Sequence, residues 1–132
     1  MVNKEQVREE LKSYKRYNTK LIYLENKIKG VKAVDYSYRT PRSVGENKEV
    51  ANINDYIEMK EECLKEMDRI RCLVESVKNI IHRDILFYRY IEDMNFYEVA
   101  EIMQYSESNV KRLTREALEE LANIINQSNI DI

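Results

Sequence analysis

Asn95 to Leu121 reads NFYEVAEIMQYSESNVKRLTREALEEL, and the spacing of its apolar residues decides the fold. Phe96, Val99, Ala100 and Met103 recur at i, i+3, i+4 and i+7 and make one apolar stripe on a short helix, with Glu98 and Glu101 outside it. A four-residue turn follows, and then a second amphipathic helix from Glu107 to about Ile125. This helix is expected to bury Val110, Leu113, Ala117, Leu118, Leu121 and Ile124. Asn95 and Ser106 are the expected N-caps, because each side-chain oxygen can accept a first-turn N–H that has no partner within its helix. Small Ala100 suits the point where two steeply crossed helices approach closely, and a larger residue there is expected to force them apart. Helix, short turn and helix at this spacing form a helix-turn-helix.

The outward face of the second helix carries the candidate site. Ser106, Glu107, Ser108, Asn109, Lys111, Arg112 and Arg115 stand together there. Asn109 and Arg112 are the candidates for base edges, since Asn pairs bidentately with adenine and Arg with guanine. Ser108, Lys111 and Arg115 are assigned to phosphates. Glu107 either accepts from cytosine N4 or favours the positive end of the helix.

At these residues the stretch resembles region 4 of bacterial sigma factors and the related DNA-binding domains of small phage regulators. The likeness lies in Glu98-Val99-Ala100-Glu101, in Tyr105 through Val110, in Lys111-Arg112-Leu113 and in Ala117-Leu118. Arg83 through Ile91 (RDILFYRYI) is similar to the helix that precedes the motif in that group. Placed behind a long charged hairpin in a short chain, the whole resembles phage late-gene transcriptional regulators of the RinA and ArpU type. The resemblance implies binding of double-stranded DNA and contact with RNA polymerase. It is specific over about residues 80 to 121 and architectural before that. Gln104 stands where such motifs usually carry glycine, and a left-handed backbone there costs a non-glycine residue roughly 1 kcal/mol.

The chain has 132 residues, of which 43% are hydrophobic and 35% charged, with two glycines and one proline. That composition favours long solvated helices and an all-α fold. The net charge of −2 gives no bulk argument for nucleic acid. Its distribution is more informative: residues 1 to 45 hold eleven Lys and Arg against five acids, and 46 to 101 hold eight against fourteen. From 102 onward the only three basic residues fall in the second motif helix, so DNA binding must rest on a local patch.

Upstream, residues 1–79 read as a long antiparallel helical hairpin with an irregular linker near 31–51, and 80–132 as the DNA-binding domain. Val7, Leu11, Tyr14, Tyr17, Leu21, Leu24 and Ile28 stripe the first helix, which Gly30 is expected to cap. In the linker, Lys29, Lys32, Arg39 and Arg42 interleaved with Tyr36 and Tyr38 offer a clamp for a nucleic-acid backbone, weighed against a plain connection. Tyr56, Cys63, Met67, Ile70, Val74 and Val77 stripe the second helix at coiled-coil length, broken only by Lys60. A homodimer through the long helices is the rival to an intrachain hairpin, and periodicity allows both. The third helix, about Ile81 to Asp93, is expected to pack through Ile81, Ile85, Leu86, Tyr88 and Ile91. Asn79 marks a bend from the second helix, or the two run together.

No catalytic constellation emerges. His82, the single histidine, has no Ser, Cys or Asp at a pairing distance, and there is no phosphate loop, zinc spacing or apolar-shielded carboxylate pair. No enzyme, cofactor or metal is expected. Glu58, Glu61, Glu62 and Glu66 read as a solvated helix face. Cys63 and Cys72, nine residues apart, fall on nearly opposite sides of one helix and suit a reducing setting. No apolar run reaches membrane-spanning length, so the expectation is a cytoplasmic protein. Two alternatives to transcriptional regulation stand open: a DNA-recognition subunit like the phage small terminase, expected to form rings, and a helical adaptor that binds no DNA.

Overall fold

The computed structural model describes residues 1–37 and 53–130, and among these every regular element is helical. α1 spans Lys4–Ser37 and α2 Ile53–Glu75. α3, Ile80–Leu86, runs on into a π-helical turn, Phe87–Ile91. α4 is Phe96–Met103 and α5 is Glu107–Ser128. The all-α expectation holds, with a helical N-terminal region ahead of a C-terminal helix-turn-helix. The chain divides into two compact units, Met1–Arg16 with Asp68–Ile132, and Tyr17–Met67.

In the first unit, α3 and α4 pack on α5. Ile85, Val99, Ala100 and Val110 form one buried cluster, flanked by Tyr88, Met94, Phe96, Met103, Tyr105 and Leu113. Ala100 sits at the crossing, where the sequence asks for a small residue. Leu118, Leu121 and Ile125 continue the buried underside of α5, and Val7, Leu11 and Tyr14 of α1 are buried as well. Two ties fasten the N-terminus and the start of α1 to α5. The Val2 amide donates to Asn126 Oδ1 at 2.8 Å while Asn126 Nδ2 donates to the Val2 carbonyl at 3.0 Å, and Lys4 Nζ lies 3.5 Å from Glu119. Between α1 and α2, Arg69 reaches Glu10 and Arg71 donates to the Tyr14 hydroxyl at 2.7 Å.

In the second unit Leu24, Cys63 and Met67 are buried and Tyr17, Leu21, Ile28 and Tyr56 half-buried. Lys60, the interruption in the α2 stripe, is accommodated because its ammonium reaches out to Glu25 at 3.6 Å, leaving the methylenes to cover apolar surface. Glu58, Glu62 and Glu66, with Asp55, wall a groove of about 620 Å³ that also touches Tyr17 and Lys20. Glu61 stays on the solvated side. Cys63 is buried and Cys72 exposed, both as free thiols.

Three details differ from the sequence expectation, and one alternative it left open is decided. α1 does not stop at Gly30 but continues to Ser37. A helical glycine costs only about 1 kcal/mol against alanine, the residues after it have ordinary helix propensities, and the chain's one proline waits until position 41. The remainder of the expected linker, with Arg39 and Arg42, lies outside the described residues. At Asn79, where the sequence allows a bend or a continuous helix, α2 and α3 are separate. Ser76 turns the last coil of α2 back on itself by donating its hydroxyl to the Leu73 carbonyl at 2.6 Å, and Asn79 caps α3 by accepting from the amides of Ile81 and His82.

Second, Ile81 in the first turn of α3 is 40% exposed, and Tyr90, which the apolar stripe left out, is buried. The π turn accounts for Tyr90 but not for Ile81, which precedes it. The Glu92 amide bonds back to the Phe87 carbonyl at 3.0 Å, so one extra residue enters the coil and every side chain after it is rotated out of simple 3.6 periodicity. Finally, in α5 Leu113 and Ile124 are half-buried, while Thr114 and Ile125 take the inner positions. Thr114 tolerates burial because its hydroxyl donates to the Val110 carbonyl one turn back at 2.7 Å.

Candidate nucleic-acid interface

The motif is assembled from its caps. The Asn95 side chain accepts from the Glu98 amide at 2.8 Å, and the Glu98 carboxylate accepts from the Asn95 amide at 2.9 Å. This reciprocal capping box satisfies two amides at the start of α4. The sequence reading names Asn95 alone, although Glu three residues after an expected cap is the signal that would have found its partner. At the other end Gln104 is left-handed, with φ 60° and ψ 43°. Its amide and that of Tyr105 both return to the Ala100 carbonyl. The backbone therefore has the conformation glycine favours, and a glutamine carries the strain. Ser106 then caps α5 by accepting from the Asn109 amide at 3.1 Å, so its hydroxyl is already engaged.

The turn thus delivers α5 with its apolar side inward. Val110, Thr114, Ala117, Leu118 and Leu121 are buried, and the expected contact residues lie on the other side. Ser106, Glu107, Ser108, Lys111, Arg112 and Arg115 are exposed, and Asn109 is half-buried. Ser108, Lys111, Arg112 and Arg115 share one face at i, i+3, i+4 and i+7. The ties from α1 to α5 reach Glu119 and Asn126, beyond this face.

The two candidates for base contact hold one another. Arg112 Nη2 donates to Asn109 Oδ1 at 2.5 Å, and Nη1 donates to Glu116 Oε2 at 2.7 Å. Glu116 is a residue that the helix-face pattern did not single out. The guanidinium is therefore stretched along the helix surface between a neutral and an anionic acceptor. Lys111 is anchored differently: its ammonium sits 5.6 Å from the centre of the Phe96 ring, and Arg89 covers the same ring at 4.3 Å. Arg115 extends from this surface without a tether of that kind.

Behind the face, His82 joins α3 to α5. Its Nδ1 donates to Glu120 Oε1 at 2.7 Å, and its Nε2 is 3.6 Å from Glu116. The other oxygen of Glu120 accepts from the backbone amides of Lys78 and Asn79 at 3.1 and 3.3 Å. Burial by itself would raise the Glu120 pKa. The bonds from His82, Asn79 and Lys78 outweigh it and hold the carboxyl below the usual carboxylate range. The single histidine is thus a fastening between helices. Among the described residues no group of His, Cys, Asp and Glu has the arrangement of a metal site, and no helix is long and apolar enough to cross a membrane.

Residues 79–123 match the family Sigma-70, region 4. The match begins at the Asn79 cap, takes in α3, the π turn and α4, and ends within α5. No curated protein and no solved structure matched the chain.

Proposed function

We propose that the protein is a sequence-specific DNA-binding transcriptional regulator of phage or prophage late genes, of the RinA and ArpU type, that lays the first half of α5 in a major groove. One observation carries this reading: a capped helix within the segment matching Sigma-70, region 4 presents Ser108, Lys111, Arg112 and Arg115 to solvent, with Asn109 half-buried beside Arg112. Asn109 and Arg112 face base edges, and Ser108, Lys111 and Arg115 take phosphates. Ser106 fixes the turn and brings its own position close to the backbone. Glu107, exposed in the first turn, favours the positive helix end. The family resemblance adds RNA polymerase as the partner at the promoter.

Selection of bound duplexes from random DNA, followed by gel shifts across a salt series, tests the proposal. A defined motif and a steep loss of affinity with salt are expected, because neutralising phosphates releases counterions. Arg112→Ala should cost roughly 1 to 3 kcal/mol and relax preference at one position. Flat, sequence-blind behaviour would remove the reading, and no binding at low salt would favour the adaptor alternative.

A homodimer is the second element of the proposal. In the Tyr17–Met67 unit Ile22 and Tyr23 are 52% and 54% exposed, and Ile57, Met59 and Leu64 are open to solvent as well. Such apolar exposure along long helices favours a second copy. Light scattering on the DNA complex distinguishes this from the small-terminase alternative, for which a ring is expected.

A further inference from the structure

The segment matching Sigma-70, region 4 carries few cations of its own, and the basic surplus of the chain lies far upstream. In the Met1–Arg16 and Asp68–Ile132 unit the two meet. A cleft of about 260 Å³ is lined by Lys12 and Lys15 of α1, by Arg89 and Tyr90 of the π turn, and by Asp93. Lys12 and Lys15 are exposed. Lys15 pairs with Asp93 at 3.2 Å, and Lys12 lies 3.6 Å from Glu9 on its own helix.

Arg89 is the unusual member. Its guanidinium is packed at 4.3 Å from the centre of the Phe96 ring and 5.3 Å from that of Tyr90. One amino group donates to the Met94 carbonyl at 2.8 Å, and Nε is buried without an acceptor. Among the described residues no carboxylate pairs with it. A half-buried cation ordinarily has an anionic partner, since desolvation is otherwise uncompensated. Tyr90 does not supply one: burial pushes its hydroxyl above the usual tyrosine value, so it stays neutral. The cleft therefore holds three cations against one lining carboxylate.

Its place in the fold ties it to the candidate interface. Phe96 is shared, with Arg89 at 4.3 Å and Lys111 at 5.6 Å from one ring. Arg89 and Lys111 flank one ring, so the cleft adjoins the outward face of α5.

We propose that Lys12, Lys15 and Arg89 form a phosphodiester-binding cleft that takes a backbone phosphate of the bound duplex beside the stretch read by α5. The inference rests on the DNA-binding reading and extends the contact surface beyond the family-matched segment to α1. On binding, Lys15 exchanges Asp93 for the phosphate. Arg89 supplies a fixed positive wall, and Lys12 swings in from Glu9. The contact is indifferent to sequence.

The test is made on the duplex selected by the wild-type chain. Lys12→Ala with Lys15→Ala should lower the slope of log affinity against log salt by about 0.9, and weaken binding roughly eightfold near 0.1 M salt, because one phosphate contact contributes about 0.9 to the slope. The selected motif should not change. Ethylation of individual DNA phosphates should interfere with the wild type at one position that ceases to matter in the double variant. Asp93→Asn, which keeps a residue tolerant of the left-handed backbone at φ 57°, should tighten binding several-fold by releasing Lys15. An unchanged slope and ethylation pattern in the double variant would overturn the cleft while leaving the α5 reading in place. Failure of the wild type to bind any duplex would overturn both.

Discussion

The two halves of α5 are equally amphipathic but are used in opposite ways. From Glu107 to Arg115 the polar side is bare, and its hydrogen bonds run within the helix, from Arg112 to Asn109 and Glu116. From Glu116 to Asn126 the polar side is spent on the rest of the unit. Glu120 clasps His82 and the amides of Lys78 and Asn79, Glu119 meets Lys4, and Asn126 holds Val2. One helix is thus anchored at one end and open to solvent at the other, and the division falls at Glu116, which faces both ways.

Substitutions along α5 test that division, the most damaging first. Leu118→Ala removes a fully buried side chain under the junction and is expected to cost about 2–5 kcal/mol, read by chemical denaturation. Both halves should be lost together. Glu120→Ala strips the acceptor from His82 and two backbone amides and should cost about 1–3 kcal/mol, while the isolated α4–α5 turn keeps its caps.

Glu120 also gives the anchored half a pH signature. Its carboxyl is held below its unfolded value, so its contribution to stability is complete above the ordinary carboxylate pKa. That contribution is lost as pH falls through the lower, folded value. Glu120→Gln should flatten the acid limb of the stability profile, and an unaltered limb would show that the clasp is not ionic.

Gln104→Gly relieves a left-handed glutamine and should stabilise by up to about 1 kcal/mol, a gain visible as a raised Tm. The smallest effect belongs to the reading half. Lys111→Ala and Arg115→Ala should change stability by no more than about 0.5 kcal/mol, as exposed side chains do, while weakening DNA binding. A large loss of stability there would erase the contrast between the halves.

The motif itself was legible because local rules govern it. Asn95, Ser106 and the Phe96-Val99-Ala100-Met103 stripe act within a few residues of themselves, and they place α4 and the start of α5 where the structure has them. Features that depend on other elements were not legible. The π turn answers to packing, so Tyr90 reaches the core without any signal in the periodicity. Thr114 looks polar in a list of residues and is inner because of a bond to its own helix. The exchange between Arg112 and Asn109 could have been read from their i, i+3 spacing. The role of Glu116 and Glu120 required His82, which is more than thirty residues away in the chain. Gly30 misled because a glycine in a helix is only a small cost, and no nearby proline converts it into an end.

The tether on Arg112 has a consequence for recognition itself. A long side chain meeting a groove from free solution surrenders rotational freedom, about 0.5–1.5 kcal/mol for each one immobilised. Arg112 has given up much of that freedom before contact, stretched between two acceptors on its own helix. In the proposed complex an approaching base must displace Glu116 and Asn109 from the guanidinium, so a mismatched sequence would leave Arg112 on its own helix.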